Sequence, residues 1–235
     1  MILTTRSLLN IICDMRKYFD AHCHLIDASL PVNVCAIVNA TQLTQWDAVL
    51  NQVRVNHNLW GAIGVHPWFV EGLEYGWDIQ LFDCLKYNPD ISVGEIGLDK
   101  HKPNMDMQVD VLVRQLELAQ ELRRGVHLHC VGAWDKMQHL LKVCRADRLP
   151  FVLFHRYKGA VDEIEKLSRK YNAFFSYCDV DCQRIARTPN DRILIETDSG
   201  NPAQIMKIES DIVAVCGERN FFENTTRMLK NGQTV

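Results

Sequence analysis

Seven side chains able to bind a metal ion stand at the ends of short apolar runs: His22 and His24, His66, Glu95, His129, His155 and Asp198. Neutral imidazole and carboxylate oxygen are the donors that Zn²⁺, Mn²⁺ and Fe²⁺ accept, and Mg²⁺ accepts the carboxylates. In Asp20-Ala-His22-Cys-His24 the histidines are two residues apart, and on an extended strand such residues project to one side. Two imidazoles then lean toward one ion, and Asp20, on the same face, is placed to hold an imidazole N–H. One such pair is weak evidence; seven compatible groups at corresponding ends of six runs make a metal centre the expectation. His66, directly before Pro67, is expected to face a substrate rather than an ion. His127 reads as a hydrogen-bonded interior residue, and His57, His101 and His139 as surface residues.

Strands must carry these groups. Eight runs rich in Val, Ile and Phe recur, at 18–24, 33–41, 59–67, 91–99, 126–129, 151–155, 173–178 and 192–198. Helical spacing separates most of them, most clearly over 105–124, where Val109, Leu112, Leu116, Ala119 and Leu122 recur every three or four residues. Asp106 lies in its first turn and Arg123 and Arg124 in its last, as the helix dipole favours. Thr44-Gln-Trp-Asp47 reads as a capping box opening the helix after the second strand. Apolar strands alternating with helices predict an α/β fold with a parallel sheet covered on its outer face, and eight units are the count of a (β/α)8 TIM barrel. The connections after the first and seventh strands are too short for full helices, so the barrel is irregular there. An open doubly wound sheet is the alternative, weakened because no G-x-G-x-x-G follows the first strand. In such a barrel, chemistry gathers at the carboxyl ends of the strands, where the seven groups stand.

A chain of 235 residues, 47% apolar, can bury one large core. No repeat or low-complexity linker divides it, so 15–235 is expected to form one barrel. The segment 1–14 reads either as a helix capping the barrel floor or as an upstream extension, with Met15 as a natural start; it lacks the cleavage site of a signal peptide. A net charge of −3 argues against a basic sheath, so a nucleic-acid substrate needs a local site. The nine cysteines show no C-x-x-C pair and no regular spacing, which points to reduced thiols and a cytoplasmic setting. No run approaches the roughly 20 apolar residues of a membrane helix.

The motifs Asp20-Ala-His-Cys-His24, Gly64-Val-His-Pro67, Val93-Gly-Glu-Ile-Gly-Leu-Asp99, Gln108-x₃-Leu112-x₂-Gln115, His129, His155, Leu194-Ile-Glu-Thr-Asp198 and Glu223-Asn-Thr-Thr-Arg-Met-Leu229 occur in that order. Together they resemble the TatD family of metal-dependent deoxyribonucleases, barrels of the amidohydrolase type, over 18–230. The resemblance implies one ion held by His22, His24, Glu95 and Asp198, with Glu95 bridging to a second held by His129 and His155. It implies Mg²⁺ or Mn²⁺, with Zn²⁺ as a further candidate, and a nucleic-acid substrate, DNA ahead of RNA, trimmed from the 3′ side at single-stranded or frayed ends. Asp198 is then placed to accept a water proton, Glu95 to act in catalysis as the bridge, and His66 to bond the scissile phosphate.

The chain also departs from the family. Val131 stands where an arginine is usual, and Lys100 and Lys102 stand where aromatics are favoured. Arg156-Tyr-Lys158-Gly reads either as a solvated loop or as a relocated phosphate clamp. Among Trp60, Trp68 and Trp77 near the third strand, Trp68 is placed to stack a base at the entrance. After Asp198 the rim is cut back to Ser199-Gly-Asn-Pro202, which suits a bulkier end, a different substrate or a protein partner completing the site. Two other readings follow: a hydrolase of an aminoacyl ester or amide, and a partner-dependent nuclease subunit of a multi-protein antiviral defence system. Either a monomer or a small oligomer is consistent with the sequence.

Overall fold

The computed structural model describes residues 16–25 and 29–232. Eight strands follow one another in chain order around one sheet: β1 (Tyr18–Cys23), β2 (Val34–Asn39), β3 (Leu59–Ile63), β4 (Ser92–Asp99), β5 (Val126–Val131), β6 (Val152–Phe154), β7 (Ala173–Tyr177) and β8 (Ile193–Ile195). Each pairs in parallel with the next. The last strand end is drawn to the first by two backbone bonds, Asp198 N to His22 O at 3.0 Å and His24 N to Ser199 O at 2.9 Å. The barrel is thus nearly closed, and it is tied at the end where the expected ligands gather.

Around the sheet lie α1 (Trp46–Val55), α2 (Trp77–Tyr87), α3 (Met105–Glu121), α4 (Trp134–Val143), α5 (Ile164–Tyr171), α6 (Cys182–Arg187), α7 (Ile205–Cys216) and α8 (Phe221–Gly232). Strand alternation sorts side chains between two environments. On β5, Val126, Leu128 and Cys130 join the large cluster shared with Leu112 and Leu116 of α3 and Leu141 of α4, while His127 and His129 lie on the other face. A second cluster holds Phe19, Ala21, Ile37, Phe151, Leu153, Phe174 and Leu194 and is closed by Met228 and Leu229 of α8. Asn224 fixes that helix at the amino end of β8 by donating to Ile193 O at 3.0 Å. The floor is therefore sealed by the last helix; the expected segment 1–14 lies outside the described residues.

Three local expectations are corrected. The helix after β4 ends at Glu121, not at 124, because Arg123 turns left-handed (φ 54) and Arg124 folds inward to donate to Leu85 O at 3.1 Å. The capping box at Thr44 does not form. Thr44 lies inside a 3₁₀ turn, Leu43–Gln45, and the Gln45 side chain accepts instead from Thr41 N at 2.7 Å and Thr41 Oγ1 at 3.0 Å. On β1, Asp20 faces Ala36 and Cys23 faces Val38, so three steps on one strand meet two on its neighbour. That bulge breaks the simple alternation, and Asp20 accepts from Thr197 N and Thr197 Oγ1 rather than from an imidazole. The irregular connections are as expected: α6 after β7 has only six residues, and no helix occurs among the described residues between β1 and β2. No helix among the described residues is long and apolar enough to cross a membrane.

Candidate metal centre

Glu95, on β4 and 2% exposed, is the hub of the barrel mouth. Its two oxygens divide the surrounding imidazoles. His22 Nε2 and His24 Nε2, from the end of β1, each lie 3.3 Å from Oε2. His155 Nε2 at 2.7 Å, His129 Nδ1 at 2.8 Å and His66 Nε2 at 3.3 Å face Oε1. His24 Nε2 also meets Asp198 Oδ1 at 3.2 Å. All six residues expected to hold ions are thus brought together, although His24, His155 and Asp198 sit just past their strands.

Five imidazole nitrogens converge on one carboxylate, which offers about four lone-pair directions, so hydrogen bonding alone does not account for the arrangement. Burial, with the neighbouring imidazole of His155, pushes His22 down, which favours the neutral ring that binds metal. Burial alone would raise the Glu95 carboxyl, but the charges and bonds of the surrounding histidines hold it well below the usual carboxylate range. For His24, burial is outweighed by its bonds to Asp198 and Glu95, which raise it to about 10. A proton on His24 thus supplies, between two carboxylates, the positive charge that a cation would bring. The donor set fits divalent metal.

His66 behaves differently. Its Nδ1 accepts from Trp68 N at 3.2 Å, so in the neutral ring the proton is on Nε2, the nitrogen facing Glu95. Proximity places it among possible ligands with Glu95 and His129, but this tautomer makes it a donor, in keeping with a substrate-facing role. His127 is interior as expected, yet neither ring nitrogen has a hydrogen-bond partner among the described residues; the ring packs 5.8 Å from His22 and 5.9 Å from Phe151. His57, His101 and His139 are exposed.

Two acids at the centre were not singled out from the sequence. Glu196, fully buried, accepts from Arg156 N at 2.8 Å and from Ser176 Oγ, and its Oε1 lies 3.5 Å from His155 Nδ1. That contact orients the ring so that Nε2 faces Glu95. Glu196 precedes Asp198 by two residues, the same spacing that paired His22 with His24, and that was the available signal. Asp99 accepts from Trp68 Nε1 at 2.7 Å and lies 3.7 Å from His129 Nε2.

At the rim, Trp68 is 52% exposed and Lys102 Nζ stands 4.1 Å above its ring. Trp60 is instead at the floor, 5.0 Å from Phe19, and Trp77 opens α2. Arg156 and Lys158 border a cavity of about 410 Å³ together with His129, Val131, His155 and Asp198. Both are paired with acids: Arg156 Nη1 with Asp198 Oδ2 at 2.8 Å, and Lys158 Nζ with Asp179 at 3.1 Å and Asp181 at 3.6 Å.

The chain is similar to known proteins in sequence and in fold. The family model for TatD related DNase matches residues 19–214. The chain is 28% identical over 207 residues to YjjV, an uncharacterized metal-dependent hydrolase of Escherichia coli K12, covering 78% of this chain and 79% of that one. It is 24% identical over 131 residues to the 3′-5′ ssDNA/RNA exonuclease TatD of Escherichia coli K12, covering 55% of this chain but 50% of TatD. The 3′-5′ RNA nuclease TATDN2 of Homo sapiens is 29% identical over 168 residues, 66% of this chain and 21% of its own length. The match therefore spans half or less of either curated nuclease. The crystal structure of YjjV superimposes with a TM-score of 0.77 at 23% identity, over 94% of this chain and 96% of YjjV, a likeness that shows the fold.

Proposed function

The chain belongs to the TatD-related DNase family, and from that membership we propose that it is a metal-dependent phosphodiester hydrolase trimming the 3′ ends of single-stranded or frayed nucleic acid, DNA ahead of RNA. The observation that carries this reading is the division of Glu95: Oε2 faces His22 and His24 while Oε1 faces His129 and His155. One carboxylate shared by two imidazole pairs suits a bridge between two ions, with Asp198 completing the first set through its contact with His24. Two divalent cations held by these residues, Mg²⁺ or Mn²⁺ with Zn²⁺ as a further candidate, would supply Lewis acidity to the phosphodiester and activate the attacking water.

The side chains divide the remaining work. Asp198 stands at the edge of the metal site, its Oδ1 3.2 Å from His24 Nε2, and accepts the water proton. His66 donates its Nε2–H to a phosphoryl oxygen. Arg156 exchanges Asp198 for phosphate when substrate arrives, and the exposed face of Trp68 offers a platform for a base. The described cysteines are free, which supports a reducing, cytoplasmic setting.

The test is a time course on 5′-labelled single- and double-stranded DNA and RNA, with Mg²⁺, Mn²⁺ and Zn²⁺ each added to metal-free protein. Stepwise shortening from the 3′ end is expected, fastest on single-stranded DNA. Internal cuts would replace the exonucleolytic reading, and a loaded protein that cleaves no nucleic acid would overturn it.

A further inference from the structure

Beside β5, the cavity that opens on His129, His155 and Asp198 meets a second of about 470 Å³ at Gly132 and Trp134. The outer cavity runs past Lys100 and Lys136. Trp134 opens α4 and lines both cavities; its ring is held by Tyr157, edge-on at 4.8 Å, and by Phe154 at 6.1 Å. Its neighbour Val131 is 36% exposed, so the groove has an apolar wall next to the metal centre. Arg156 and Lys158, the cations of the inner cavity, are already matched by Asp198, Asp179 and Asp181. Lys100 and Lys136 make no ion pair among the described residues.

We propose that this groove carries the single-stranded run of substrate leading away from the scissile phosphate, with a base against Trp134 and successive phosphates at Lys100 and Lys136. The proposal rests on the nuclease reading and adds the path of the strand. Each part has a physical reason. Any base offers a π-face to an indole, which needs no sequence preference. An unpaired lysine gives its full charge to a phosphate, whereas a paired one must first break its bond to an acid. On a chain of net charge −3, two lysines without an ion pair among the described residues, on a cavity that adjoins the metal-centre cavity and holds one acid, Asp135, leave a local excess of positive charge that a polyanion requires.

The test compares metal-loaded wild type with the Lys100→Glu/Lys136→Glu double variant and with Trp134→Leu, which keeps an apolar side chain against Tyr157. Two substrates are used, a labelled thymidine decanucleotide and bis(p-nitrophenyl) phosphate, the latter too short to enter the outer cavity. For the double variant, the ratio of kcat/KM on the decanucleotide to that on the small diester is expected to fall about tenfold or more, and the slope of log(1/KM) against log salt to flatten by about 1.4. For Trp134→Leu the same ratio should fall about fivefold to tenfold. Lys207→Glu, a charge reversal on the exposed face of α7, is the control. An unchanged ratio and slope in the double variant, or an equal change in the control, would overturn the groove while leaving the nuclease reading in place. Wild-type protein that hydrolyses neither substrate would remove the nuclease reading, and the groove with it.

Discussion

Arg156 donates from Nη1 to Asp198 Oδ2 at 2.8 Å, on the oxygen opposite the one that meets His24. A cation of the chain therefore occupies part of a carboxylate that the proposed ion also needs. Arg156→Ala should have opposite effects on two ligands. Because the arginine is half-exposed, the pair is worth roughly 0.2–1 kcal/mol, so ion affinity should rise about 1.4-fold to fivefold. The KM for an oligonucleotide should rise as a phosphate contact is lost, with kcat less affected. Calorimetric titration of the ion and steady-state kinetics measure the two arms. Weaker ion binding with an unchanged KM would mean that Arg156 merely buttresses the loop.

Glu95→Gln keeps the size of the hub and removes its charge. Binding of either ion then loses its bridging carboxylate, and oligonucleotide hydrolysis should fall at least about 100-fold, the effect of several kcal/mol of lost metal-dependent stabilisation. In wild type, each ion at 100 times its Kd should add about 2.7 kcal/mol of stability, so loading should raise Tm by roughly 5–10 °C per ion and roughly 10–20 °C for both. The variant should lose most of that rise. A variant with full metal content, rate and Tm response would end the two-ion scheme.

The strand ends were legible because two patterns coincide: apolar runs mark the strands, and a histidine or acid at the ends of six of the eight marks the mouth. His22, His24, Glu95, His129, His155 and Asp198 could be read this way without knowing any contact. Asp20 could not, because a one-residue bulge between Asp20 and Cys23 shifts the face to which it belongs. Glu196 carried the right spacing to Asp198, but an acid just past an apolar strand gives no sign of its partner until the end of β6 brings His155 within 3.5 Å of it. For Arg156 and Lys158 the sequence showed the charge and hid the neutralising acids, which lie 21–42 residues further on. The capping motif at Thr44 failed for a similar reason. Gln45 found donors in Thr41, and the local pattern yielded to the entry angle of the chain.

Met228 tests the barrel floor apart from its chemistry. Its side chain is fully buried in the cluster of Phe19, Ile37, Phe151 and Leu194, which contains none of the residues expected to hold ions. Met228→Ala opens a cavity there and should cost about 2–5 kcal/mol. Denaturant unfolding should show the loss, while kcat of the metal-loaded enzyme measured well below Tm stays within about twofold, since no floor residue is proposed to touch substrate. A selective loss of metal binding in this variant would mean that the floor and the mouth are coupled through the strands.

Gly97 offers the most direct test of how β4 and β5 hold His129. The two residues face each other across the sheet, and a Cβ on Gly97 would stand 1.8 Å from His129 O, a backbone atom with no room to yield. Gly97→Ala must therefore push the strands apart where His129 reaches Glu95 at 2.8 Å. Gly200 is the contrasting position, since the atom nearest to its added Cβ is His24 O at 3.9 Å. Gly200→Ala should leave Tm nearly unchanged, whereas Gly97→Ala should lower it and weaken the ion assigned to His129 and His155 before the ion assigned to His22 and His24. Metal stoichiometry measured below the Tm of the variant should drop from two toward one. Two ions bound at wild-type affinity would show that the close approach of Gly97 to β5 plays no part in setting His129.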